Sequence, residues 1–304
     1  MCKVALRVVR KLCVAGAALL LSAALPVGCE RDATPLPSES TGPLNVTVSI
    51  VPQKYFVERV GGEHVAVSVM VGPGANPATY EPKPEQLTAL SRAAAYFSIG
   101  VPFENVWLNR IAAVNSDMLM VDTIRGIERM PMATYRQQDG GRNPDPHVWL
   151  SPELVKVQAR NIYEALVQLD PAHRDAYEAN LDSFVADIDA LEADISRALE
   201  GVETRKFMVF HPAWGYFARD FGLEQVPVEV GGQEPSAAEL AELIAVAREE
   251  GIRVIFAQPE FSTRDAETIA GEIGGEVLLV SPLAPDWLDN LRRVSRTFAE
   301  ALDR

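Results

Sequence analysis

PAHRDAYEANLDSFVADIDALEADISRAL, residues 171–199, carries Tyr177, Leu181, Phe184, Ile188, Leu191, Ile195 and Leu199 at steps of four and three. That spacing puts all seven side chains on one face of an α-helix. Its 29 residues would measure about 44 Å at the helical rise. Two readings fit such a helix: one arm of a helical hairpin, or a rigid spine between two lobes.

The sequence on either side bears on that choice. Upstream, NVTVSIV alternates as a strand from Leu44 onward, and a helix follows around Tyr55–Val60, stopped by Gly61-Gly62. HVAVSVMV (64–71) reads as the next strand, Pro84–Ala93 as a helix and Ala95–Ile99 as a short buried strand. Downstream the alternation repeats. KFMVFH (206–211) leads to AWGYFARDFG, and QVPVEV (225–230) to a helix capped by Ser236, with Glu239 three residues later as a capping box. VIFAQ (254–258) leads to a helix ending at Gly274-Gly275, and EVLLVS to a last helix from Pro285. Strand–helix alternation on both sides predicts an α/β protein with parallel sheets.

The first 44 residues read differently. Lys3, Arg7, Arg10 and Lys11 form a basic start, and no acid precedes Glu30. The apolar run Leu12–Leu25 is too short to cross a bilayer core of about 30 Å and suits an export signal. Gly28-Cys29 then resembles the lipobox of bacterial lipoproteins, with Pro26 where Leu is usual. The alternative is an ordinary cleaved signal with an incidental cysteine. Cys2, Cys13 and Cys29 are the only cysteines, so the exported part needs no disulfide, and the one thiol it keeps stands where a lipid would be attached. Residues 30–44, rich in Pro, Ser and Thr, read as a tether. The expected organisation is signal peptide 1–28, tether 29–44, N-terminal lobe 45–170, connecting helix 171–200 and C-terminal lobe 201–304.

The net charge of −14 disfavours a nucleic-acid partner. There is no Ser/His/Asp constellation, P-loop or dinucleotide fingerprint, so no enzyme is expected. Only four histidines occur. His64 opens a strand and His173 starts the long helix, and both are expected at the surface. His147 lies in NPDPHVWLSP before a helix capped by Ser151; His211 ends a strand and precedes Pro212. In open α/β sheets ligands gather beyond the carboxyl ends of strands. Glu260, Ser281 and Gln53 follow strand ends as well. Two imidazoles with a carboxylate suit zinc or manganese, which accept N and O donors.

The segments VGGEHVAVSVMVGPGANPATYEPKP, DPHVWLSP, the long helix, VFHPAWGYFARDFGL, QPEFSTRDAETIA and VSPLAPDWLDNLRRV follow one another in this order. In them the chain resembles the zinc/manganese-type solute-binding proteins of ABC importers over roughly residues 45–302. The resemblance implies two βα lobes joined by a long rigid helix and a divalent transition metal, zinc or manganese, held in the interlobe cleft. It implies a monomer that delivers the metal to an ABC permease with its ATPase, at the periplasmic or extracytoplasmic face, held to the membrane by a lipid on Cys29. His147 and His211 match family ligands. Two others do not carry over: Ala78 stands where the family has a His in its Pro-His-x-Tyr-Glu loop, and Ser281 where it has an Asp before Pro-Leu. Gln258-Pro259-Glu260-Phe261 replaces Glu-Pro-Gln-Phe, which makes Glu260 a candidate third ligand; a salt bridge to Arg264 is its other reading. Gln53, Asn76 and Ser281 are further candidate donors. The missing ligands also leave open a second function, the same fold binding a metal chelate or another small solute.

Overall fold

The structure, a computed structural model, describes residues 42–134, 143–229, 233–259 and 263–303. The first half runs β1 (Leu44–Ile50), α1 (Val51–Gly61), β2 (Val65–Val71), α2 (Pro84–Leu90), β3 (Ala95–Ser98), α3 (Pro102–Val114), β4 (Leu119–Asp122) and α4 (Pro152–Leu169). After α5 (Arg174–Ala198) come β5 (Lys206–Val209), α6 (Gly215–Phe221), β6 (Glu224–Pro227), α7 (Ala237–Glu249), β7 (Val254–Ala257), α8 (Arg264–Ile273), β8 (Glu276–Leu279) and α9 (Trp287–Leu302). The strands form two four-stranded sheets, β2-β1-β3-β4 and β6-β5-β7-β8, with every pairing parallel. Both sheets therefore share one strand order. In each, the order reverses between two central strands, β1/β3 and β5/β7, and opens a crevice beyond their carboxyl ends.

The helix α5 keeps the predicted stripe: Tyr177, Leu181, Phe184, Ile188, Leu191 and Ile195 are buried. It is shorter than expected, because Pro171–His173 form a 3₁₀ turn before it. Its 25 residues span about 37 Å. It is a spine rather than a free arm. One continuous apolar core contains Val46 and Phe97 of the first sheet, Phe184 and Leu191 of α5, and Phe207, Phe256 and Trp287 of the second half. Phe56 of α1 meets Trp287 of α9 edge-on at 5.1 Å between centroids, and Phe184 lies 6.0 Å from Phe56 and 6.3 Å from Trp287. A second core, with Met208, Leu243, Ile255 and Ile269, joins the other face of the second sheet to α7 and α8.

Several element ends differ from the sequence reading. Helix α1 starts at Val51, directly at the end of β1, because Pro52 sits in its first turn, where no amide donor is needed. Strand β5 stops at Val209, two residues early, so His211 leaves the sheet. Elements α3 and β4 go beyond the reading and complete the first sheet. The two predicted caps are present: Ser151 accepts from the amide of Leu154 at 3.2 Å, and Ser236 and Glu239 form a reciprocal capping box. His64 and His173 lie at the surface as expected, half-buried and exposed respectively, but they do not stand apart. Their rings stack at 3.8 Å, and His173 Nδ1 pairs with Asp170 Oδ2 at 2.6 Å. The segment expected to be a signal peptide, with Cys29, lies outside the described residues.

Candidate metal centre

His147 is delivered by a short antiparallel ribbon. The amide of Met132 donates to Asn143 O at 2.9 Å, that of Asp145 to Met130 O at 2.8 Å, and Pro131 bridges Pro144. A 3₁₀ turn, Val148–Leu150, then leads into α4. The other half of the molecule grips this turn. Trp149 Nε1 donates to Pro282 O at 2.8 Å and Trp287 Nε1 to Trp149 O at 2.7 Å. Tyr216 donates to Asp145 O at 3.1 Å and accepts from the Met130 amide at 3.0 Å.

His211 comes from the other sheet, at the crevice between β5 and β7. Gln258, fully buried just past β7, holds its backbone on both sides: Nε2 donates to His211 O at 2.8 Å and Oε1 accepts from His211 N at 3.3 Å.

The two imidazoles meet with Nε2 atoms 3.3 Å apart. Each ring is held from behind by a carboxylate. His147 Nδ1 lies 2.7 Å from Asp145 Oδ1, which also accepts the His147 amide at 2.9 Å. His211 Nδ1 lies 2.7 Å from Glu229 Oε2. A carboxylate accepts, so each Nδ1 carries the proton and each Nε2 presents its lone pair. Burial pushes the His147 pKa below its ordinary value, against the pull of Asp145 and with a further push from His211. A neutral imidazole is the form that binds metal. Two nitrogens bound tetrahedrally at 2.0–2.1 Å stand about 3.3 Å apart, so the pair already has the bite of one ion.

Asp145 and Glu229 were not among the residues singled out from the sequence. Asp145 has a local signal, since it lies two residues before His147 between prolines. Glu229 has none. It is found only through the register: Val209 pairs with Pro227 in the parallel β5–β6 ladder, and His211 and Glu229 each lie two residues further on.

The remaining candidates fare differently. Glu260 lies outside the described residues. Gln53 is fully buried and its amide is spent on the first sheet. Its Oε1 accepts from Ser49 N and Ile50 N, at 3.0 and 3.3 Å, and its Nε2 faces Phe97 O, Ser98 O and Thr123 Oγ1. Both lone pairs are engaged, which makes it a clamp across the β1/β3 crevice. Asn76 Oδ1 closes a local turn on the amide of Ala78 at 2.8 Å, and Ala78 itself is exposed. Ser281 Oγ accepts from the amide of Leu283 at 3.2 Å, in the loop that Trp149 grips. Among the described residues no three His, Cys, Asp or Glu side chains converge as a metal cluster.

The family model described as zinc-uptake complex component A, periplasmic, matches residues 46–301. The high-affinity zinc uptake system protein ZnuA of Bacillus subtilis is 29% identical over 275 residues, 85% of each chain. The zinc-binding lipoprotein AdcA of Streptococcus pneumoniae is 26% identical over 257 residues, 81% of this chain and 51% of its own. A crystal structure of a ZnuA deletion mutant with zinc bound superposes with a TM-score of 0.81 at 48% identity, covering 86% of this chain and 99% of that one.

Proposed function

Since the chain belongs to the family of periplasmic zinc-uptake component A proteins, we propose that it captures a divalent transition metal on His147 and His211 and delivers it to an ABC importer. Zinc is the first choice and manganese the second. The observation that carries this reading is the pair of Nε2 atoms 3.3 Å apart, each ring held through Nδ1 by a carboxylate. A carboxylate behind a ligating imidazole fixes its tautomer and raises its basicity. Asp145 and Glu229 also supply two negative charges, which balance a dication on two neutral rings. We assign no catalytic step; the family is one of transport components.

Two histidines leave positions on the metal for other donors: Glu260, water, or a molecule carried in with the ion. A second reading, capture of a metal chelate or another small solute, is favoured by the exposed Ala78 and by the lack of a third convergent acid or imidazole among the described residues. One experiment separates the two. Purified chain is stripped with a chelator, dialysed, and titrated with zinc and then manganese, with elemental analysis of the product. The expected result is one zinc per chain without added co-ligand. Binding only in the presence of a chelating co-ligand favours the second reading, and no binding in either case rejects both.

We further propose export and lipid attachment at Cys29. The signal-like Leu12–Leu25 run supports this, as does a relative named a lipoprotein. Among the described residues no helix is long and apolar enough to cross a membrane. Cys29→Ala is expected to move the protein from the membrane to the soluble fraction of fractionated cells, since stable anchoring takes more than one acyl chain. Wild-type protein already soluble after processing would show an ordinary cleaved signal instead.

A further inference from the structure

Two buried polar atoms and a half-buried glycine lie behind His147. Asp145 is 1% exposed, and its Oδ1 serves His147 twice, but its Oδ2 is buried without a hydrogen-bond partner. Gln225 on β6 accepts the amide of Trp214 through Oε1 at 2.8 Å, while its Nε2 is also buried without a partner. Gly215 lies between them. A Cβ built there would stand 3.1 Å from Asp145 Oδ2 and 3.7 Å from Gln225 Nε2. The two atoms thus border the same face of Gly215, together with the Met130 methyl, 3.7 Å from the same point. One is an acceptor and the other a donor, and buried polar groups of that kind are almost always satisfied.

We propose that Gln225 is a positioning residue for His147, donating from Nε2 to Asp145 Oδ2 through one buried water or by a small side-chain rotation. A bridging water needs polar partners of this kind, and Asp145 Oδ2 and Gln225 Nε2 supply two of them beside Gly215. Asp145 would then be fixed on every polar atom: its amide by Met130 O, its carbonyl by Tyr216, Oδ1 by His147 and Oδ2 by Gln225. One extended segment of the second sheet would support both imidazoles, Gln225 through Asp145 to His147 and Glu229 directly to His211. Sequence proximity hides this link, because Gln225 and Asp145 are 80 residues apart. The proposal rests on reading the two histidines as the metal pair.

The test is Gln225→Glu. It keeps the side chain's size and its bond from the Trp214 amide, but turns an acceptor toward Asp145 Oδ2. The expected result is a zinc affinity lowered 10–100-fold, the range for outer-shell partners, with a lower Tm from the second buried carboxylate, so affinities are compared on folded protein. In metal-free protein the Nδ1 proton resonance of His147 should shift while that of His211 stays. Asp145→Asn reverses the polarity of the pair, so the double variant Asp145→Asn/Gln225→Glu should regain part of the affinity that Asp145→Asn loses. Gly215→Ala, which puts a methyl on that face but favours the helix, should lower affinity without lowering Tm. Zinc affinity within twofold of wild type in Gln225→Glu, with an unmoved His147 resonance, would overturn the proposal. So would strictly additive losses in the double variant. The resonance needs no metal, so a wild type that fails to bind zinc counts against the metal reading, while the resonance still decides this one.

Discussion

His211→Ala is expected to lower zinc affinity by on the order of a thousandfold or more, beyond the 10–100-fold that an outer-shell change costs. The ring supplies one of only two convergent nitrogens among the described residues, and no third His, Cys, Asp or Glu joins the pair in a metal cluster there. The variant also leaves Glu229, 6% exposed, without its imidazole. A buried charge that loses its partner destabilises the fold, so the affinity loss has to be separated from a folding loss. The double variant His211→Ala/Glu229→Gln removes the stranded charge. Its Tm should recover toward wild type while its zinc affinity stays lost. Glu229→Gln alone should lie between, 10–100-fold down. Chelator competition gives the affinities, and thermal melts with and without zinc give a second reading. A ligand at a hundred times its Kd stabilises by about 2.7 kcal/mol, and that shift should be present in wild type and absent in both His211→Ala chains. His147→Ala should behave alike. Zinc affinity retained in either single alanine variant would move the site away from this pair.

How much of this was legible in the sequence differs residue by residue. The stripe from Tyr177 to Leu199 and the strand–helix alternation around it are local, periodic signals, and the spine, the second sheet and three strands of the first follow from them. His147 and His211 stood out because prolines and a strand end surround them, and strand ends are where such folds gather ligands. The same rule pointed at Gln53 and missed its role. A strand-end position places a side chain at the crevice without saying whether it faces the cleft or ties the strands below it. In both halves a glutamine does the tying, Gln53 across β1/β3 and Gln258 across β5/β7. Glu229 and Gln225 were illegible for a different reason. Their partners are fixed by the register of β5 on β6 and by the seam between the halves, and neither leaves a trace in sequence spacing.

The first sheet's crevice holds a buried carboxyl that no metal reading explains, and its removal should have the largest effect on stability. Glu104, 4% exposed in α3, accepts from Gly100 N at 2.6 Å, from Ile99 N at 3.1 Å and from the Ser49 hydroxyl. Ser49 Oγ in turn meets Tyr96 OH at 2.7 Å. The group thus fastens the ends of β1 and β3 to α3, beneath the loop of Ala78, whose neighbour Pro77 accepts the amide of Phe103 at 3.2 Å. Glu104→Ala strands the amides of Ile99 and Gly100, at about 1–3 kcal/mol for each buried group, while the Ser49 hydroxyl keeps Tyr96. A loss of about 3–5 kcal/mol is expected, a large part of a domain's stability. Burial pushes the Glu104 pKa up, outweighing the hydrogen bonds from Ser49, Ile99 and Gly100 that hold it down. A carboxyl raised in the folded state stabilises at low pH, and that contribution fades as pH rises through the raised value. Glu104→Gln mimics the protonated form: its oxygen accepts from the amides and its NH₂ donates to Ser49. It should cost no more than about 1 kcal/mol at mildly acid pH, within the scale of a single hydrogen bond, and gain on wild type as pH rises. Urea unfolding of wild type and both variants across that rise in pH reads the three curves. Parallel wild-type and Glu104→Gln profiles, or a Gln variant as unstable as the Ala variant, would mean that the fold needs Glu104 as an ionised carboxylate.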